Sequence, residues 1–213
     1  MFISKKISKD EKVDFSIQTI ADGHHKVTYK GIRAVRCPFD YVMYQMIIWK
    51  VKPDLVIEVG ANAGGGALYI ADLLDTIGKG EVHSIDIKDI VDPKARAHER
   101  ITFFMDGWDA YDLNLTKGFE TILIIEDASH QYKDTIGVLN KFHHLVTKGS
   151  YFIIEDGIVN ALGVERKFDG GPLKALREFL PEHPQFIVDR KWCDMFGINA
   201  TFNVNGYLKK VSD

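Results

Sequence analysis

The chain has 213 residues, 46% of them apolar, with 27 basic and 30 acidic side chains for a formal net charge of -3. That is enough apolar material for one well-buried core and too little chain for two large domains. There is no basic field and no Lys/Arg cluster interleaved with aromatics, which argues against a nucleic-acid partner. No run approaches the ~18 apolar residues of a membrane span. The N-terminal stretch MFISKKISKDEK is charged and lacks the apolar core of a signal peptide, so a cytoplasmic location is expected. Cys37 and Cys193 have no CxxC spacing and suit reduced thiols, with no chemical role assigned.

In chain order, Phe39, Val42, Met43, Met46 and Ile47 form an apolar helical stripe that Pro53 terminates, most simply core packing against a sheet. LVIE then ends at Glu58 and breaks into the glycine-rich GANAGGG, which opens a helix carrying Ala67, Leu68, Ala71 and Leu74 before Gly78 and Gly80. Glycines let the backbone approach a ligand, and the helix that follows presents unpaired N–H groups. Asn62 replaces the middle glycine of the dinucleotide fingerprint, and no Lys-Ser/Thr completes a P-loop, so the loop alone is a weak signal beside a ligand-free strand-to-helix turn.

VHSID ends at Asp86, ITFFMD at Asp106, TILIIED at Glu126 and Asp127, and YFIIED at Glu155 and Asp156, while Ile136, Leu139, Phe142, Leu145 and Val146 mark a further helix. Strands alternating with helices predict an α/β fold with a mostly parallel sheet covered on both faces. GIVNALGVERKFDGG is too long for an ordinary connection and is a candidate lid or substrate loop. Pro172 suits the first turn of a helix that Pro181 ends, and QFIVDR with TFNVNGYLKKV predicts an antiparallel C-terminal strand pair.

In a parallel sheet all strand C-termini share one edge, so these acids should converge beside the glycine-rich loop. Two carboxylates ~4 Å apart repel by about 4 kcal/mol at an effective dielectric near 20, so gathering Asp127, Glu155 and Asp156 calls for a proton or a cation. Hard oxygen ligands point to Mg²⁺ or a similar divalent ion, the alternative for any one acid being a helix cap or a solvated loop carboxylate. Asp86, ending the second strand of the unit, stands where ribose hydroxyls are usually held. His130, in DASH, is placed either to act as a general base beside a metal or to support and cap its neighbours. His24, His25, His143 and His144 are assigned ordinary surface or packing roles.

The segments IEVGANAGGGALYIADLL, GEVHSIDI, ITFFMDG, EDASH, FIIEDG, GGPLKALREFL and TFNVNGYLKK resemble the cephalosporin hydroxylase and rhamnosyl O-methyltransferase family, from about Pro38 to Lys210. The resemblance implies the Rossmann-like class I S-adenosylmethionine-dependent methyltransferase fold over residues 38–213. Residues 1–37 are then an N-terminal extension contributing to the acceptor site or to contacts in a homo-oligomer. It further implies that Glu58, Gly60, Ala61, Asn62 and Gly64 form the cofactor loop, that Asp86 holds the ribose, and that Asp106 and Gly107 flank the adenine. Asp127, Glu155 and Asp156 match the family's metal-binding acids, and His130 its catalytic base. The implied activity is metal-dependent O-methylation, from S-adenosylmethionine, of a hydroxyl on a sugar, glycan or natural product.

Two other readings share some of these features. A nicotinamide-dependent oxidoreductase would use the same sheet, loop and strand-end acid, although Asn62 and the acidic trio speak against it. A cofactor-binding subunit without catalysis would differ in failing to transfer a methyl group. Arg33, Arg36, Asn160, Arg166 and Lys167 could line an acceptor pocket, but basic loop residues are more often solvated.

Overall fold

The computed structural model describes residue 13 and residues 15–213. A helix α1 (Ile17–His24), closed at its start by a Ser16/Thr19 capping box, leads to a small hairpin of β1 (Thr28–Tyr29) and β2 (Ile32–Arg33). There follow α2 (Pro38–Val51), β3 (Leu55–Val59), α3 (Gly65–Ile77), β4 (Glu81–Ile85), α4 (Pro93–Arg96), β5 (Ile101–Phe104), β6 (Ile122–Glu126), α5 (Tyr132–Phe142) and β7 (Tyr151–Ile154). The chain closes with α6 (Gly171–Glu182), β8 (Phe186–Val188), α7 (Arg190–Cys193) and β9 (Tyr207–Lys210).

The sheet has seven strands in the order β5-β4-β3-β6-β7-β9-β8; β9 runs antiparallel to both its neighbours, and the rest is parallel. The expected α/β fold and antiparallel C-terminal pair are both present, with β9 inserted between β7 and β8. TFNVNG of the predicted last strand instead turns back on itself, and only Tyr207–Lys210 is strand.

Period-2 alternation divides the core. Val56, Val82, Leu123 and Ile153 face α2 and α3, while Leu55, Ile57, Ile124 and Phe152 face α5 and α6. Both faces of β3 are therefore buried, which is why its sequence is an unbroken apolar run. Burying each such side chain is worth about 1.5–3 kcal/mol.

The stripe expected on α2 is corrected by the structure. Met43 and Ile47 are buried together with Tyr44 and Ile48, but Val42 and Met46 are 40% and 41% exposed. This helix is apolar on nearly every side, so periodicity could not choose its inward face. The helix of α6 runs one residue past Pro181, because a proline in a last turn forfeits only a single terminal hydrogen bond.

Because the chain leaves β3 toward β4 on one side and returns to β6 on the other, strand order reverses at β3 and β6. A crevice opens there at the carboxyl ends of the strands, the position where open α/β sheets bind ligands. Among the described residues no helix is long and apolar enough to cross a membrane.

Candidate active site

The crevice is a cavity of about 960 Å³, lined by the β3–α3 loop, by residues 107–109, by parts of the stretches 85–90, 127–134 and 156–168, and by the C-terminus of α1. Its floor is the glycine loop. Gly60 adopts φ 112° and packs so tightly under β6 that a Cβ there would stand 1.9 Å from the Asp127 carbonyl oxygen. Asn62 takes the left-handed φ of 47°, and its N–H donates to Asp86 Oδ2 at 2.8 Å, so the end of β4 fixes the loop. Gly64, at φ 83°, caps α3. Glu58 and Ala61 are buried, with Ser84 Oγ donating to Glu58 Oε2 at 2.6 Å.

The expected cofactor residues are not all equally placed. Glu58, Gly60, Ala61, Asn62, Asp86 and Gly107 line the cavity, whereas Gly64 does not and packs against Val91, Ala95 and Phe103 as the cap of α3. Asp106 is exposed and does not line it; Trp108 and Asp109, which the sequence reading passed over, do. A tryptophan four residues beyond the end of β5 could have been noticed as a flat apolar wall.

At the other end of the cavity, Asp127, His130 and Asp156 each offer a ligand atom within 4.8 Å of one another. His130 and Asp156 both occupy left-handed backbone, at φ 59° and 57°, which turns them toward the crevice from the β6 and β7 ends. His130 Nδ1 lies 3.2 Å from Asp156 Oδ2. Glu155 is set apart from this trio: its Oε1 accepts from Arg36 Nε at 2.8 Å and from Tyr44 Oη at 2.6 Å, all of it buried.

Arg36, assigned by the sequence to a solvated loop or pocket rim, is 3% exposed. Its Nη2 lies 2.7 Å from Glu155, 3.4 Å from Asp127 and 3.6 Å from Glu58, and the guanidinium covers the Tyr44 ring. The signal for it was available: strand-end acids require a counter-charge, and Arg36 is the basic residue embedded in the apolar run AVRCPF. Even so, the acids outnumber it. Burial raises Glu58 to about 7 and Glu126 to about 8, and burial together with Glu155 holds Asp127 well above the usual carboxylate range. Asp40, buried under Thr201, Tyr207 and the Phe202 N–H, is raised to about 7 and joins the cluster through Tyr207, Asn203 and Tyr44.

Arg33 also lines the cavity, whereas Asn160, Arg166 and Lys167 do not. The long connection after β7 folds as short 3-10 turns, Gly157–Val159 and Glu165–Phe168, that place Ile158, Val159, Leu162, Val164 and Phe168 on the cavity wall. His24 and His25, assigned surface or packing roles, line the same cavity, while His143 packs against Phe179 and His183.

Comparison with known proteins places the chain in a family. The family model described as rhamnosyl O-methyltransferase/CmcI matches residues 22–211. A rhamnosyl O-methyltransferase of Mycobacterium leprae is 31% identical, over 89% of this chain and 90% of its own length. Its counterpart in Mycobacterium bovis is 29% identical, over 86% and 78%. Among solved structures, CmcI with magnesium and S-adenosylmethionine superposes with a TM-score of 0.66 at 22% identity, covering 97% of this chain and 89% of that one. TomG, an O-methyltransferase from Streptomyces achromogenes, gives a TM-score of 0.56 at 12% identity, covering 94% and 92%. The chain belongs to the rhamnosyl O-methyltransferase/CmcI family and has the class I methyltransferase fold.

Proposed function

We propose that this protein is an S-adenosylmethionine-dependent, metal-assisted O-methyltransferase acting on a hydroxyl of a sugar or sugar-bearing molecule. The observation that carries the reading is one cavity holding the glycine loop and Asp86 at one end and Asp127, His130 and Asp156 at the other. Donor and acceptor can thus be bound in line within a single crevice. The names of the curated relatives supply the acceptor class.

The donor set fits a hard divalent cation, since oxygen and imidazole atoms cluster within 4.8 Å amid acids that buried basic groups do not balance. Asp127 and Asp156 would hold it, with Glu155 adding negative charge from behind them. When bound, such an ion supplies positive charge that lowers the pKa of a hydroxyl beside it.

The remaining steps belong to the chain's own groups. Gly60, Ala61 and Asn62 would cradle the donor, and Asp86, which fixes Asn62, would accept from its ribose hydroxyls. Gly107 and Trp108, on the cavity wall, would flank its adenine. Asp156, accepting at His130 Nδ1, leaves Nε2 with the lone pair that takes the hydroxyl proton. The acceptor oxygen forms its bond to the methyl carbon as the carbon–sulfur bond breaks, its electron pair staying on sulfur, and His130 then passes the proton to solvent. The apolar wall of Ile158, Leu162 and Phe168 keeps competing water out.

The test is calorimetric titration with S-adenosylmethionine and with NAD, each with and without Mg²⁺, in the wild type and Asp127→Ala. Binding of S-adenosylmethionine with a Mg²⁺ signal lost in the variant is expected. Binding of NAD instead would return the protein to the oxidoreductase reading.

A further inference from the structure

The N-terminal helix brings a second imidazole to the cavity. Helix α1 packs through Ala21 and Ile20 with Ile158, Leu162 and Phe202, and His24 and His25 at its C-terminal end line the cavity beside these residues. His24, its last residue, packs edge-on to Phe202 at 5.0 Å and against His25 at 3.9 Å between ring centroids. Both the ring's position and its tautomer are therefore set by the fold. Its Nδ1 meets the Ala21 carbonyl, which can only accept, so the proton resides on Nδ1 and the Nε2 lone pair remains for a ligand.

The groups around His24 keep it neutral. Burial lowers its pKa from the usual value, the Ala21 carbonyl opposes this, His25 lowers it further, and across the cavity Asp156 raises and His130 lowers it. His130 has its own Nδ1 on Asp156, so by the same reasoning its Nε2 is also an acceptor. Two imidazoles, each with Nδ1 engaged, thus turn their Nε2 atoms to one cavity, an arrangement matched to a ligand with two hydroxyl donors and poorly matched to a monohydric one.

We propose that His24 is a specificity-determining residue, accepting a hydrogen bond through Nε2 from a second hydroxyl of the methyl acceptor while His130 receives the proton of the reacting one. This rests on the methyl-transfer reading and deepens it by requiring a polyhydroxylated acceptor. The C-terminal end of α1 is thereby part of the acceptor site.

Two measurements test it. In steady-state kinetics with Mg²⁺, S-adenosylmethionine and methyl α-L-rhamnopyranoside as probe, His24→Ala should raise the KM for the sugar about tenfold, with kcat and the S-adenosylmethionine Kd within about twofold. His24→Gln, whose carboxamide oxygen can accept, should recover most of that loss. An unchanged KM, or a fall in kcat at unchanged KM, overturns the proposal. In ¹⁵N-histidine spectra of the wild type at pH 7.5, His24 should carry its proton on Nδ1, and a protonated Nε2 overturns the proposal whatever the kinetics. A wild type that binds S-adenosylmethionine yet leaves the rhamnoside unmodified counts against the sugar reading, and the nitrogen spectrum then decides the fate of His24.

Discussion

Arg36→Met isolates the charge on which the centre of the site is built, because methionine keeps the unbranched stem and removes the guanidinium. The Nη2 atom lies 2.7, 3.4 and 3.6 Å from Glu155, Asp127 and Glu58. At an effective dielectric near 20 an ionised pair at such a distance attracts by about 5 kcal/mol, most of it offset by desolvation of the ions. Removing one partner of a buried ion pair nevertheless costs about 3–5 kcal/mol, because the remaining charge is left uncompensated.

For a chain of this size that loss corresponds to a fall in Tm of roughly 10 °C. Binding should suffer as well, since Glu58 underlies the glycine loop and Asp127 belongs to the ligand cluster. Thermal melts and S-adenosylmethionine calorimetry on the wild type, Arg36→Met and Arg36→Lys would measure both. Arg36→Lys should fall between the others, because an ammonium retains the charge but loses the planar fork that serves several carboxylates. If Arg36→Met melts within about 2 °C of the wild type and binds the cofactor equally well, Arg36 is not the counter-charge of this cluster, and the acids are neutralised by protons alone.

Three further outcomes are expected. Gly60→Ala places a methyl group 1.9 Å from the Asp127 carbonyl oxygen at φ 112°, so it should cost several-fold or more in S-adenosylmethionine affinity by calorimetry; unchanged binding would mean that the loop is not the cradle. Gly137→Ala directs a Cβ to 2.4 Å from the Trp108 ring and should push the indole into the cofactor side of the cavity, raising the Kd for S-adenosylmethionine at least threefold in fluorescence titrations. Asp40 and Glu58, with ordinary values of 3.8 and 4.5, are each raised by burial to about 7. Their stabilising effect is complete below those ordinary values and is lost as pH rises through about 7, on the order of 4 kcal/mol for Asp40 and 3 kcal/mol for Glu58. Without divalent cations the Tm should therefore fall between pH 5 and 8, and a Tm that rises over that range would refute the assignment.

The sheet was legible because its signal is local. Apolar runs of strand length, each ending in an acid and followed by glycine or a helical period, determine both the strands and the edge on which the acids collect. The inward face of α2 was not, since a helix apolar on most sides packs according to its neighbours. Arg36 and His24 escaped for the same reason: a basic residue in a polar or connecting segment resembles a solvated one until the tertiary fold turns it inward. Glu155 shows the reverse case, a strand-end acid whose position was correctly read but whose Oε1 is engaged by Arg36 and Tyr44, partners more than a hundred positions away.

The charge imbalance links these particulars to the chemistry. Backbone geometry alone fixes Glu58, Glu126, Asp127, Glu155 and Asp156 at the ends of β3, β6 and β7, and Asp40 joins them through buried hydroxyl and amide groups. Among the described residues, Arg36 and His130 are the basic side chains within ion-pair distance of these strand-end acids. The raised pKa values of Glu58, Glu126 and Asp40 mean that protons make up part of the deficit when nothing else is bound. A methyl donor of the proposed kind carries a sulfonium charge, and the proposed metal carries two more, so both ligands bring positive charge to the crevice where the fold has gathered uncompensated acids. Their binding should accordingly release protons. The number released per cofactor, read from calorimetric heats in buffers of different ionisation enthalpy, should be above zero at pH 7 and fall toward zero as the pH rises past about 8.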